Sequence, residues 1–152
     1  MAKFEECFES TQELFTKVIE NAELQRYMNI AVLTNNKAKE LFTVTKTNDL
    51  LKYRTNDDVV IILNERIFEQ LTDEQQLIVV ESAIAYVSYD NEKDKVVITK
   101  PDFKAHRGIL RKYSFDTIEV LEESIKTLYQ AEKEAEDASK AQTEKASKHN
   151  SY

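Results

Sequence analysis

The sequence predicts an α+β domain, a small mixed sheet packed against helices, with helical extensions at both ends. Three observations carry this. Residues 58–63, DVVIIL, are a continuous apolar run of strand length, which predicts a strand buried on both faces at the sheet centre. Residues 71–87, LTDEQQLIVVESAIAYV, predict one well-capped, half-buried helix. The two ends of the chain are charged stretches of high helical propensity.

The elements follow in order. Residues 3–26 predict a first helix, with Phe4, Phe8, Phe15 and Val18 or Ile19 on one stripe and Leu14 widening it. Its glutamates, Glu5, Glu6, Glu9, Glu13 and Glu20, supply the wet face. Residues 29–34 are short and β-rich, and predict a strand ended by the turn pair Asn35-Asn36. A helical turn is expected at 37–40. Residues 41–47 alternate, with Thr43, Thr45 and Thr47 on one face and Phe42, Val44 and Lys46 on the other, and predict a second strand. Residues 48–57 read as connection, with Leu50, Leu51 and Tyr53 tucked inward. After the central strand, Asn64 is placed to cap a short helix through Phe68 and Leu71.

In the 71–87 helix, Thr72 and Gln75 have capping-box spacing, and Asp73 and Glu74 meet the positive end of the helix dipole. Leu77, Val80, Ile84 and Val87 recur at three-four-three spacing, one apolar face. A polar turn at 88–94 and a strand at 95–99 come next. Pro101 is suited to opening a helix over 102–112, with Phe103, Ile109, Leu110 and Tyr113 as core candidates and Gly108 weakening it. Ser114 caps the last helix, whose stripe is Ile118, Leu121, Ile125 and Leu128. Residues 1–130 are expected to form one domain. Residues 131–152 lack large apolar residues except Tyr152 and predict a charged helix extension decaying into a disordered tail.

Composition excludes several classes. The chain has 152 residues, enough for one domain with a real core. Its net charge of -7 opposes direct nucleic-acid binding, which needs a basic face. The single cysteine, Cys7, permits no intrachain disulfide and fits a reducing compartment. The opening residues carry acids and no apolar run, so no secretion leader is expected, and no stretch has the roughly 20 apolar residues of a membrane span. With one glycine there is no Gly-rich phosphate loop.

Catalytic options are few. Of the two histidines, His149 lies in the charged tail and is expected to be idle, and His106 reads as an ordinary helix histidine. A Ser82–His106–Asp102 arrangement can be drawn, but no nucleophile-elbow glycines surround Ser82. Asp90, Glu92 and Asp94 alternate without the glycine and distant glutamate of a calcium loop, so they read as a solvated turn. No metal or other cofactor is expected.

The order of a central strand, LNERIFEQLTDEQQ, a helix, an acidic turn, a strand and PDFKAHRGILRKY resembles the phage metallopeptidases, small zincin-like domains. The resemblance spans residues 29–113 and implies a zincin-like fold. In that family the long helix carries H-E-x-x-H and a later helix start carries a histidine before an aspartate. Carried onto this chain, the two zinc histidines fall on Ser82 and Tyr86, the general-base glutamate on Ala83 and the later histidine on Pro101, with Asp102 retained. Zinc needs imidazoles, and its bound water needs a carboxylate to take the proton. The resemblance therefore implies a relative that kept the scaffold without the catalytic set, with Tyr86 filling the vacated site as core.

The expectation is a non-enzymatic, phage-encoded interaction protein that binds a host or phage protein complex. Its surface is expected to include Glu5, Glu9, Glu13, Glu20, Glu119, Glu122 and Glu123. The alternatives are a structural or packaged virion protein and an acidic mimic of DNA that binds a basic protein. The expected compartment is the host cytoplasm, or the virion under the first alternative.

Overall fold

The computed structural model describes residues 4–101 and 105–149, with side chains as far as residue 142. The expectations for Lys3, Asp102, Phe103, Tyr152 and the His149 side chain lie outside the described residues.

The fold is mixed α+β. A four-stranded sheet is built from β1 (Glu5–Glu6), β2 (Ile30–Thr34), β3 (Phe42–Lys46) and β4 (Val59–Leu63), in the order β1-β2-β4-β3. β2 runs parallel to β4, and the β1–β2 and β3–β4 pairs are antiparallel. The DVVIIL run is thus a central strand. Val59, Ile61 and Leu63 are wholly buried on one face, while Val60 and Ile62 on the other are half-buried, less than the two-sided burial expected.

The helices are α1 (Glu9–Asn21), α2 (Asp49–Thr55), α3 (Glu65–Phe68), α4 (Asp73–Ile84), α5 (Arg107–Tyr113) and α6 (Phe115–His149). A second, two-stranded sheet pairs β5 (Val87–Asp90) with β6 (Lys95–Ile98). α4 packs on α1, α5 and β3, and the core gathers around it. Among the described residues, no helix is long and apolar enough to cross a membrane.

Local chemistry explains what matched. Thr72 and Gln75 form the capping box at the start of α4, each side chain meeting the other's backbone N–H at 3.2 Å. Asn64 caps α3, its side-chain oxygen accepting from Ile67 N–H at 3.2 Å. Ser114 precedes α6, and its hydroxyl accepts from Thr117 N–H at 3.4 Å. Ile118 and Leu121 of the α6 stripe are buried, and Ile125 and Leu128 pack against the core.

Tertiary pairing explains what differed. The expected first helix begins only at Glu9, because residues 5–6 join the sheet against Thr34 and Leu33. In that extended segment side chains alternate, so Cys7 is buried while Phe4 and Phe8 face solvent. Glu5 accordingly lies on a strand rather than a helix. The helix ends at Asn21, and a single 3-10 turn covers Leu24–Arg26. Residues 37–40 form turns and bends, not a helix.

Residues 48–57 are not mere connection. Asn48 caps α2 through Leu51 N–H at 2.8 Å, and Asn56 ends it in the left-handed region, with φ 63°. Leu50, Leu51 and Tyr53 are exposed on α2, against expectation. α4 stops at Ile84 rather than Val87, because β5 begins there and pairs Val87 with Ile98. Ser88, Tyr89 and Asp90 are therefore strand, and the turn is confined to residues 91–94, where Asp90 Oδ1 accepts from Glu92 and Lys93 N–H. α5 begins at Arg107, well after Pro101. The charged segment from residue 131 continues α6 as helix to His149, the helix extension expected there.

Candidate functional site

The C-terminal end of α4 and the turn that follows it hold three of the positions singled out in the sequence, Ser82, Ala83 and Tyr86. Ser82 is half-buried on its last turn, and Ala83 is wholly buried in the core. Tyr86 lies beyond the helix, in the turn before β5. It stays near Ser82 because its N–H donates to Ala83 C=O at 3.2 Å and its own C=O accepts from Thr99 N–H at 2.8 Å.

That second bond draws in the loop after β6. His106, the N-cap residue of α5, donates from Nε2–H to Thr99 C=O at 2.7 Å. A carbonyl only accepts, so this contact places a proton on Nε2. The His106 ring packs edge-on against Tyr86, with centroids 4.7 Å apart. Tyr86 in turn meets Phe42 of β3 edge-to-face at 5.7 Å. Burial, with a smaller contribution from the Glu40 charge, pushes the Tyr86 phenol above its ordinary range.

A hollow of about 170 Å³ remains between these groups. Ser82, Tyr86, Pro101, His106 and Glu122 line it, together with apolar side chains that include Phe42, Val79 and Leu121. Three of the four positions carried over from the family motif thus converge, although Pro101 is far from Ser82 in the chain. The fourth, Ala83, faces the core. Tyr86 is half-buried and a cavity remains beside it, so the expectation that it fills this place as core is not met in full.

These residues do not fit a catalytic zinc ion. Zinc takes imidazole nitrogen, thiolate or carboxylate, and its water needs a nearby base. Ser82 offers a neutral hydroxyl, Tyr86 a phenol held protonated, and Pro101 no donor side chain. Ala83 supplies no carboxylate, and among the described residues the one carboxylate lining the hollow is Glu122 of α6. His106 has one nitrogen committed to Thr99. Among the described residues, no three His, Cys, Asp or Glu side chains gather as a metal-binding group. Ser82 and His106 share the hollow, but their triad partner Asp102 lies outside the described residues.

The carboxylates considered for an interaction surface divide by location. Glu5 is exposed on β1, and Glu9, Glu13 and Glu20 are exposed on α1. On α6, Glu123 is exposed, while Glu119 and Glu122 are half-buried. Glu122 lines the hollow, whereas Glu119 and Glu123 line a separate groove beside Leu71 and Gln75.

One important residue had no distinct sequence signal. Glu65 is almost fully buried directly after β4, and both its oxygens accept from Phe8 N–H, at 2.9 and 3.2 Å. Its own N–H donates to Thr34 Oγ1 at 3.2 Å. Asn64 beside it donates to Ala38 C=O at 2.9 Å, an acceptor that Tyr129 of α6 also uses. A glutamate in the first turn of a short helix is commonplace, and only its distant partner distinguishes it.

The family model described as "Putative phage metallopeptidase" matches residues 3–133. No curated protein and no solved structure matches the chain.

Proposed function

The chain belongs to the phage metallopeptidase family, and we propose that it is a non-catalytic member that works by binding another protein. One feature supports this reading: on the correspondence that the resemblance implies, Ser82, Ala83 and Tyr86 occupy the places of the family's two histidines and glutamate. Ser82 and Tyr86 line a largely apolar hollow in which a hydroxyl and a phenol take the place of imidazoles. At those three positions no side chain can hold zinc as an imidazole does or take a proton from its water as a carboxylate does.

The partner is a component of a host or phage protein complex, and the site of action is the host cytoplasm. The acidic balance of the chain and its long charged terminal helix support a surface role of this kind. Metal analysis of the purified protein, with peptide hydrolysis assayed in added zinc, tests the catalytic half of the proposal. Sub-stoichiometric zinc and no turnover are expected, and tightly held stoichiometric zinc would overturn it. Affinity capture from phage-infected cells, with identification of the bound chains, tests the other half.

A further inference from the structure

We propose that the groove between α6 and the α3–α4 junction docks a cationic amphipathic helix of the partner protein. The inference rests on the interaction reading above and names the surface and the chemistry it would recognise.

The groove is an open depression of about 760 Å³. Leu71, Val120 and Leu128 give it an apolar floor. Its charged lining is Asp116, Glu119 and Glu123, and among the described residues no basic one lines it. Asp116, Val120, Glu123 and Thr127 follow at spacings of four, three and four, so they share one face of α6. Gln130 and Glu134 continue that face beyond the groove, tied to each other at 3.4 Å. The lysines of this part of the helix, Lys126 and Lys133, fall outside that sequence of positions.

Two features favour a helical occupant. Val120 is 62 % exposed, an apolar side chain at the centre of a carboxylate-lined channel. From Asp116 to Leu128 the channel runs about 18 Å along α6, room for roughly three helical turns. The opposite wall is fixed in place, because Gln75 of the capping box donates to Ser124 Oγ on α6 at 3.2 Å. A helix that lays leucine-like side chains on Val120 and Leu71 and flanks them with lysine or arginine matches both the floor and the lining charge.

The test uses the full chain and a synthetic leucine–lysine peptide of roughly 14 residues with helical periodicity, beside a scrambled peptide of equal composition. Titration calorimetry is expected to show binding of the periodic peptide that weakens with salt, and binding of the scrambled peptide at least about tenfold weaker. Glu123→Lys and Val120→Asp, both at exposed positions, should each lower affinity by about tenfold or more. The paired reversal Glu9→Lys/Glu13→Lys on α1 should leave affinity within about twofold, since those charges lie outside the groove.

Absence of binding, equal loss in the α1 variant, or no loss in Val120→Asp would overturn the proposal. So would sedimentation showing a wild-type dimer that Val120→Asp disperses, because the occupant would then be a second copy. If captured partners are retained by Glu123→Lys and Val120→Asp, the groove fails while the interaction reading stands. Zinc-dependent peptide hydrolysis by the wild type would sink that reading whatever the groove binds.

Discussion

The carboxylate of Glu65 accepts the backbone N–H of Phe8 across 57 residues of sequence, with both oxygens within 3.2 Å. Phe8 is the N-cap residue of α1 and its side chain makes no cap. A buried acid from another helix therefore adds to the negative charge that Glu9 gives this helix start. The same contact lies between β1 and α1, next to the buried Cys7, so one residue ties this junction to the segment after β4.

Glu65→Ala should lower stability by about 2 kcal/mol, because it leaves a part-buried N–H without its charged acceptor. Glu65→Gln should cost less, since one acceptor oxygen remains. Urea unfolding measures both, and an unchanged midpoint for the alanine variant would contradict the assignment.

Ala83→Glu, which puts a carboxylate at the position that the resemblance assigns to the general base, should destabilise by at least about 3 kcal/mol. The position is wholly buried beside Val79 and Val80, so the new carboxylate would lack a charge partner. Added zinc should not restore the melting temperature, because Ser82 and Tyr86 remain non-ligands. Thermal unfolding with and without zinc decides this.

Stability should fall in alkali. Burial, then the charge and hydrogen bond of Glu65, raise the Cys7 thiol from 9.0 to about 12. Burial also raises the Tyr86, Tyr113 and Tyr129 phenols above 10.0. A folded-state pKa above the unfolded one means the contribution is complete below the unfolded value and lost as pH climbs through the folded one. For Cys7 that window runs from pH 9.0 to about 12. Urea midpoints at rising alkaline pH should decline, and Cys7→Ala should flatten the decline. Native protein should also resist thiol reagents that label the unfolded chain.

Leu50→Ser and Tyr53→Ser should each change stability by less than about 0.5 kcal/mol. Both side chains stand in solvent on α2, at 73 % and 88 % exposure. A loss of several times that size in chemical unfolding would mean that they are buried after all.

Gly108→Ala should stabilise α5 by about 0.5–1 kcal/mol. An added Cβ meets nothing within 4 Å, and this glycine does not occupy the left-handed region. A drop in melting temperature would contradict that geometry.

The sequence by itself determined what depends on neighbours in the chain. The capping box of Thr72 and Gln75, the Asn64 cap, the central DVVIIL strand and the Ile118–Leu128 stripe all follow from residues within a few positions of one another. So did the resemblance that assigned Ser82, Ala83, Tyr86 and Pro101 their places. Only the tertiary structure decided where local preferences lose to distant pairing. Backbone hydrogen bonding to β2 and to Glu65 replaced the first turns of the expected helix and left Phe4 and Phe8 outside. Pairing of Val87 with Ile98 stopped α4 before Tyr86. The hollow joining Ser82, Tyr86, Pro101 and His106, and the groove that separates Glu123 from Glu122, arise from packing between α4, α5 and α6. Periodicity along one helix states which residues share a face, but the neighbouring element decides what that face meets.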